Sequence, residues 1–258
     1  MNRGQSETLG VVLLLGIAVI GAMAVTAAGL AALDRDQERV GTAQAERSLS
    51  QFDSRASDVA LGRSESARVD AGLPDTEGTI SVRPEEGWIR IRLTSGGGDP
   101  PPGPGDSSVT AANVTLGSVV YQQGSRTVGY QSGGVFQSNG NRSVLLSRPE
   151  YHYRNGTLTI PIVKTEGGAA VASVLQVTHN GTVRKFPDSP RDLTNEVDDR
   201  TVTVTVKSRY YEAWGEFFQQ QPSGNVTIDD QSETASIQFD TKVKFLHVTV
   251  NRMNVSSG

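Results

Sequence analysis

The cleanest strand pattern in this sequence is Thr201-Val202-Thr203-Val204-Thr205-Val206, in which threonine and valine alternate. Such alternation predicts a β-strand with one buried face and one exposed face. The segment that follows, Tyr210-Tyr211-Glu212-Ala213-Trp214-Gly215-Glu216-Phe217-Phe218, places aromatic residues at helical intervals. A stripe of this kind is typical of a helix packed in a core, and a ligand pocket is the alternative. We therefore predict a sheet with one short helix packed on it.

Short alternating runs broken by turn residues lie on both sides of this segment. They predict further strands over residues 79–83, 88–93, 113–121, 127–130, 143–146, 157–163, 173–179, 226–228, 236–239 and 244–251. Pro84-Glu85-Glu86-Gly87 predicts a turn that joins the first two strands into a hairpin, and Asn155-Gly156 and Asn180-Gly181 predict tight turns. The glycine- and proline-rich residues 95–108 predict an exposed loop. Residues 63–258 are thus expected to form a mainly antiparallel β domain.

An amphipathic stalk helix is predicted between residues 34 and 62, where proline is absent and helix formers predominate. One face carries an apolar stripe, and charged residues, among them Asp53, cover the other faces. The stripe consists of Val40, Ala43, Leu49, Phe52, Ala56 and Val59. It serves either to dock the helix on the domain that follows or to associate with another copy of the chain.

Residues 9–33 carry no charge and would form about 37 Å of helix, enough to cross a hydrocarbon core of ~30 Å. Residues 1–33 are therefore predicted to hold a signal segment and a transmembrane helix. Arg3 places the small cationic bias at the N-terminus, which favours a cytoplasmic N-terminus and an extracellular C-terminal domain. The fold class expected for the chain is α+β: a long N-terminal membrane and stalk helix, then a mainly antiparallel β domain with one short helix.

The residues ahead of the apolar segment are Arg3-Gly4-Gln5-Ser6-Glu7. Three interpretations compete. The segment is a secretory signal cut near Ala22-Met23-Ala24 or Ala27-Ala28, a plain single-span anchor, or a segment cut between Gly4 and Gln5. Neither of the first two requires the polar and acidic residues ahead of the core, so the third is favoured. A cut at that place leaves the apolar segment on the mature protein.

This N-terminal stretch resembles the class III signal peptides of archaeal type IV pilins and archaellins. Together with Gln51-Phe52-Asp53-Ser54-Arg55-Ala56 and the segment from Tyr211 to Phe218, it makes the chain similar to a family of haloarchaeal exported proteins. The resemblance implies a membrane-embedded prepilin-type peptidase as processing partner, cutting between Gly4 and Gln5. It also implies that Glu7 is an assembly residue, whose carboxylate pairs with the amine of a neighbouring subunit. The excess of arginine over lysine is consistent with a halophilic archaeon.

Apart from the cut at Gly4, the sequence indicates one covalent modification, N-glycosylation. Six Asn-x-Ser/Thr triplets without an intervening proline fall in the predicted exported domain, and they make the chain a candidate glycoprotein. Their acceptors are Asn113, Asn141, Asn155, Asn180, Asn225 and Asn254.

Other function classes find no support in the sequence. There is no cysteine, the histidines His152, His179 and His247 are scattered, and no nucleophile or phosphate-binding motif is present. We therefore predict no enzyme activity, no cofactor and no metal site. The net charge of -4 argues against a nucleic-acid partner.

The function expected from these observations is that of a membrane-anchored surface structural protein, either a pilin-like subunit or a minor component of a pilus-like assembly. The alternative is a membrane-tethered binding or adhesion ectodomain that does not polymerise. The expected partners are membrane lipid, the peptidase, and the chain itself or other pilin-like subunits.

Overall fold

The structure is a computed structural model that describes residues 41–70, 79–95, 109–140, 142–168, 174–187, 196–197, 200–222, 224–239 and 243–258. Strands account for 61% and helices for 16% of these residues. In chain order the elements are α1 (residues 41–60), β1 (Ser66–Asp70), β2 (Thr79–Arg83), β3 (Trp88–Ser95), β4 (Val109–Thr115), β5 (Ser118–Gln123), β6 (Arg126–Gln131), β7 (Gly134–Asn139), β8 (Arg142–Ser147), β9 (His152–Arg154), β10 (Thr157–Gly167), β11 (Val174–Phe186), β12 (Arg200–Lys207), α2 (Tyr211–Gln219), β13 (Asn225–Asp229), β14 (Thr234–Phe239) and β15 (Phe245–Ser257).

The strands form three sheets of five strands each. Sheet A has the order β1-β11-β15-β10-β9, sheet B the order β2-β5-β6-β7-β8, and sheet C the order β13-β14-β12-β3-β4. Strands β10 and β15 run parallel over their whole contact, from Thr157 opposite Phe245 to Gly167 opposite Val255. The other paired strands of the three sheets are antiparallel.

Two apolar cores hold the layers together, and sheet A contributes to both. The first core joins sheet C and α2 to one face of sheet A, where Leu246, Val248 and other residues of β15 are buried. The second core joins α1 and sheet B to the other face of sheet A, where Met253 and Val255 are buried. Side chains on a strand alternate between faces, so β15 uses even-numbered residues for the first core and odd-numbered residues for the second.

Helix α1 is docked on the sheets by its apolar stripe. Leu49, Phe52, Ala56 and Val59 are buried in the second core, and the ring of Phe52 lies edge-on to that of Tyr130 at 5.0 Å. Of the other predicted stripe residues, Ala43 is exposed and Val40 lies outside the described residues. The docking interpretation of the stripe is thus confirmed for residues 41–60.

The end of α1 is fixed by its backbone. Gly62 has a φ of 71°, which glycine adopts without steric cost. Its N–H donates to the carbonyl of Val59, and the N–H of Arg63 donates to the carbonyl of Asp58. This pair of hydrogen bonds is the Schellman motif, which satisfies carbonyls that the last helical turn leaves free.

The predicted α+β fold class is wrong. The described part of the chain is mainly β, its two helices contain 16% of the residues, and neither of them is long and apolar. Helix α1 forms a layer of the β domain because its stripe is buried by sheets A and B. Within the described ranges, we find no helix with the length and apolar character needed to cross a membrane. The predicted membrane segment, residues 1–33, lies outside these ranges.

Several local predictions are also corrected. Strands β2 and β3 do not form a hairpin: β2 pairs with β5 in sheet B, and β3 pairs with β12 and β4 in sheet C. The strand predicted over residues 113–121 is divided at Gly117, which has a φ of 70°. The predicted turn at Asn180-Gly181 is a register shift inside β11.

Two further turn predictions have different outcomes. The tight turn at Asn155-Gly156 is confirmed, because it connects the paired residues Arg154 and Thr157. Both turn residues have positive φ values, 52° and 77°, as a two-residue hairpin turn of this type requires. The predicted loop over residues 95–108 lies outside the described residues from position 96 onward.

Candidate functional site

The aromatic segment of α2 lies in the first core. Trp214 is completely buried, Phe217 and Phe218 are almost so, and the ring of Phe136 lies 5.2 Å from that of Trp214. The indole Nε1 of Trp214 donates to Oε1 of Gln131 at 3.2 Å, so that the one polar atom of the side chain has a partner. The prediction that this stripe belongs to the core is confirmed, and the ligand-pocket alternative is wrong.

Strand β8 caps the N-terminus of α2 from another part of the chain. The backbone N–H of Ala213 donates to Oγ of Ser143 at 3.1 Å. The backbone N–H of Ser143 donates in turn to Oε2 of Glu212 at 2.8 Å. The first turn of a helix has N–H groups without helical partners, and a hydroxyl commonly accepts from one of them. Local sequence patterns do not predict this contact, because the two segments are far apart in the chain.

Helix α1 brings a buried carboxyl group to its junction with sheet B. The hydroxyl of Ser147 donates to Oδ2 of Asp53 at 2.5 Å. The other oxygen, Oδ1, is buried and has no hydrogen-bond partner among the described residues, and the same is true of the hydroxyl of Tyr130. We refer to Asp53, Tyr130, Ser147 and Glu150 as the α1 junction. The sequence pattern predicts Asp53 on a charged outer face of the helix and gives no sign of this junction.

Burial changes the protonation of the α1 junction. The net effect of three causes raises the pKa of Asp53 to about 6: loss of solvation raises it most, the hydrogen bond from Ser147 lowers it, and the nearby carboxylate of Glu150 raises it. Burial also raises the pKa of Tyr130 well above its ordinary value, and Asp53 and Glu150 add to that rise. The neutral form of Asp53 thus suits this site better than the carboxylate does.

A shallow groove of about 590 Å³ lies at one end of sheet C. It is lined by charged residues of both signs and by one aromatic side chain, and its lining includes Glu86, Trp88, Lys207 and Arg209. Glu86 Oε1 lies 3.4 Å from Arg83 and 3.6 Å from Arg209, and its Oε2 accepts from the hydroxyl of Ser118. Its charge is thus balanced within the protein. The charged side chains that line the groove are suited to binding a polar ligand.

The acceptors of the predicted glycosylation sites are exposed wherever the structure describes them. Asn113 and Asn225 lie on β4 and β13, Asn155 lies in the β9–β10 turn, and Asn180 and Asn254 lie on β11 and β15. The side-chain amide of Asn180 donates to Oε2 of Glu166 at 2.8 Å. Asn141 lies outside the described residues.

The predicted processing and assembly residues, Gly4, Gln5 and Glu7, also lie outside the described residues. The three histidines do not form a site together. The ring Nδ1 of His179 lies 3.0 Å from the carbonyl oxygen of Val59, and His152 is exposed on β9. In the ranges that the structure covers, no group of three or more His, Cys, Asp or Glu side chains is arranged to hold a metal ion.

Comparison with known proteins places the chain in a family. Neither the curated proteins nor the solved structures contain a match to it. A sequence model of a family of unknown function, DUF7289, matches residues 3–256, which is nearly the whole chain, and the protein therefore belongs to this family.

Proposed function

We propose that this protein is a membrane-anchored structural protein of the cell surface, a pilin-like subunit or a minor component of a pilus-like assembly. The observation that carries the proposal is the order of the N-terminal residues. Arg3-Gly4-Gln5-Ser6-Glu7 stands directly ahead of the uncharged residues 9–33. A prepilin-type peptidase that cuts between Gly4 and Gln5 leaves these apolar residues on the mature chain, where they contact membrane lipid or other subunits.

The docking of α1 supports this proposal. Only residues 34–41 separate the apolar segment from Thr42, which is 2% exposed, and from the buried stripe of α1 that follows. The N-terminal segment is therefore joined to the β domain through a helix that belongs to a core. A protein of an assembly that bears load needs such a connection, because a force on the N-terminus then acts on packed side chains.

In this proposal, Glu7 neutralises the amine of a neighbouring subunit near the membrane face, where an unpaired carboxylate would be costly. The N-terminus is cytoplasmic and the β domain is extracellular. The exposed positions of Asn113, Asn155 and Asn225 support the extracellular placement, because an acceptor must be accessible to a sugar-transferring enzyme.

The first experiment is to identify the N-terminal residue of the mature protein by mass spectrometry of membrane and sheared-surface fractions from its native host. We expect the chain to begin at Gln5, and Gly4→Val to prevent the cut, with Gly10→Val as a matched control that is still cut. A chain beginning at Met1 or Asn2 would show that the N-terminal segment is not cut and would favour a plain single-span membrane anchor. A chain beginning beyond Ala22 would contradict the proposal.

The groove at the end of sheet C favours the second candidate, a tethered binding or adhesion ectodomain. Its lining combines Trp88 with charged side chains of both signs, and ligand sites commonly combine aromatic side chains with a few polar groups. Sedimentation of the sheared-surface fraction separates the two candidates. Polymers that pellet support the structural role, whereas detergent-solubilised monomers confined to the membrane fraction support the binding role.

A further inference from the structure

Among the strands that the structure describes, six lie at sheet edges: β1 and β9 in sheet A, β2 and β8 in sheet B, and β13 and β4 in sheet C. An edge strand carries backbone N–H and C=O groups that no neighbouring strand pairs. Such an edge can add a strand of another chain, and natural proteins block it with charges, proline, short strands or a covering group.

The glycosylation acceptors fall on these edges. Asn113 lies on β4 and Asn225 lies on β13, which are the two edges of sheet C. Asn155 directly follows β9, an edge of sheet A. In sequence, Asn141 directly precedes β8, an edge of sheet B whose Ser143 N–H is already bonded to Glu212 of α2. Four of the six acceptors thus adjoin four different edges.

Asn180 marks a fifth edge, which sheet order alone does not reveal. Strand β1 covers β11 only from Val174 to Thr178, so that the part of β11 from Asn180 onward has no partner from β1. Asn254 differs from the other five. It lies on β15 between two neighbours, opposite Thr178 of β11 and Glu166 of β10.

A second observation concerns apolar side chains on the same edges. The described part of the chain exposes five large apolar residues, and four of them lie on β4, β8 and β13. These four residues are Val109, which is 47% exposed, Val144 (47%), Leu146 (38%) and Ile228 (39%). All three strands adjoin an acceptor, whereas the described edges β1 and β2 have neither an acceptor nor a large exposed apolar residue.

We propose that N-linked saccharides on Asn113, Asn155, Asn180 and Asn225 cover the sheet edges and keep them from pairing with other chains. The proposal rests on the proposed surface location. In each modification, the side-chain amide nitrogen forms a bond to the anomeric carbon of a sugar donor activated by phosphate. The bond from that carbon to the phosphate breaks, the phosphate leaves with the bonding electrons, and the amide proton passes to a base.

The physical effect follows from where the sugar is held. A hydrated saccharide beside an edge strand occupies the space that an added strand would need, about 4.8 Å from the edge. It also covers the exposed side chains of Val109 on β4 and Ile228 on β13, which would otherwise favour such pairing. At Asn254 a sugar would project from the middle of sheet A and would leave the edges unchanged.

The test compares two variants of the full-length chain, produced in the native host and purified in detergent. Asn113→Gln/Asn225→Gln removes both acceptors of sheet C, and Asn254→Gln is the matched control on an inner strand. Glycopeptide mass spectrometry reports which asparagines carry sugar, and analytical ultracentrifugation reports self-association. We expect sugar on Asn113 and Asn225 of the wild type, and a several-fold rise in the aggregated fraction for the double variant alone.

A second variant separates edge pairing from a general loss of folding. Adding Val109→Lys to the double variant places a charge on the β4 edge, and we expect it to return much of the protein to the monodisperse fraction. The inference would be overturned by wild-type Asn113 and Asn225 without sugar, by a double variant as monodisperse as Asn254→Gln, or by equal aggregation of both.

The outcome is independent of N-terminal processing. A chain that is cut after Gly4 but carries no sugar overturns this inference alone, and a chain that carries sugar but begins at Met1 overturns only the assembly proposal.

Discussion

The two helices are both packed on sheets, but their contacts differ in chemistry. Helix α2 presents apolar rings to the first core, and two polar atoms that it brings there, Trp214 Nε1 and Ala213 N, have partners. The hydroxyl of Tyr210, just ahead of the helix, has none among the described residues. Helix α1 presents Phe52 and its neighbours to the second core, but Asp53 enters with them. Of the two carboxyl oxygens of Asp53, only Oδ2 has a hydrogen-bond partner among the described residues.

Two helix contacts that are equally buried can therefore differ in how their stability depends on pH. An apolar contact with satisfied polar atoms has a stability that changes little with pH. A contact that contains a half-satisfied carboxyl group is strongest when that group is neutral. We therefore expect α2 to behave as a permanent part of the fold and the docking of α1 to respond to pH.

The largest effect is expected from Trp214→Ala, which removes the centre of the α2 contact. The substitution leaves a large cavity in the first core, and the side-chain oxygen Oε1 of Gln131 loses one hydrogen-bond donor. We therefore expect the free energy of unfolding to fall by about 3–5 kcal/mol. Urea unfolding followed by circular dichroism measures the loss. Glu216→Ala, on the exposed side of the same helix, is the control and should stay within about 0.5 kcal/mol of the wild type.

Asp53→Asn should stabilise the protein at neutral pH. The folded state raises the pKa of Asp53 from 3.8 to about 6, so the folded state binds this proton more tightly than the unfolded chain does. Proton binding by Asp53 therefore adds most to the free energy of unfolding below a pH of about 4. This contribution declines as the pH rises toward about 6 and is absent above that pH. This rise in pKa corresponds to at most about 3 kcal/mol. The amide keeps the hydrogen bond from Ser147 and carries no charge.

The measurement is the free energy of unfolding between pH 4 and 8, in steps of about half a pH unit. We expect the variant to lose the decline that the wild type shows across pH of about 4 to 6. Asp58→Asn, at an exposed position of the same helix, should leave that decline in place. A variant that is less stable than the wild type at pH 7.5 would show that the carboxylate is needed at the junction.

These contrasts also show what the sequence was able to predict. Alternation within β12 and aromatic spacing within α2 are local, and both predictions were correct. The choice of partner strand is not local: β3 pairs with β12, far along the chain, instead of with the adjacent β2. The hairpin prediction failed because a turn between two strands does not determine whether they share a sheet.

The same limit applies to the candidate sites. The Asn-x-Ser/Thr triplets were visible in the sequence, but their position on sheet edges depends on strand order. Asp53 was assigned to a solvated face because an acid beside an apolar stripe usually is solvated. Its burial depends on β8, which brings Ser147 against it. The α+β class gave too much weight to the N-terminal helices and too little to the number of strands.

A smaller effect is expected from Ser143→Ala, which removes the hydroxyl that caps α2. Loss of a capping hydroxyl costs about 1 kcal/mol. The substitution also destroys the Asn141 acceptor triplet, and Asn141→Gln is therefore the matched control, since it destroys the triplet but keeps the cap. We expect a fall in the unfolding temperature for Ser143→Ala only, measured on protein from a host without N-glycosylation. Equal falls for both variants would show that the cap contributes nothing measurable.

The smallest effect is expected just beyond the end of α1, from Arg63→Ala. Nε of Arg63 lies 3.3 Å from Oδ1 of Asp58, but the two side chains are 60% and 47% exposed. Exposed pairs of this kind contribute roughly 0–1 kcal/mol, because water and salt screen them. The backbone hydrogen bond from Arg63 to Asp58 closes the Schellman motif and remains in the variant. We therefore expect urea unfolding to change by less than about 0.5 kcal/mol, and the difference to vanish at high salt. A larger loss that persists in salt would mean that the arginine stem packs on the end of α1, and the docking of that helix would then depend on its last turn as well as on Phe52 and Asp53.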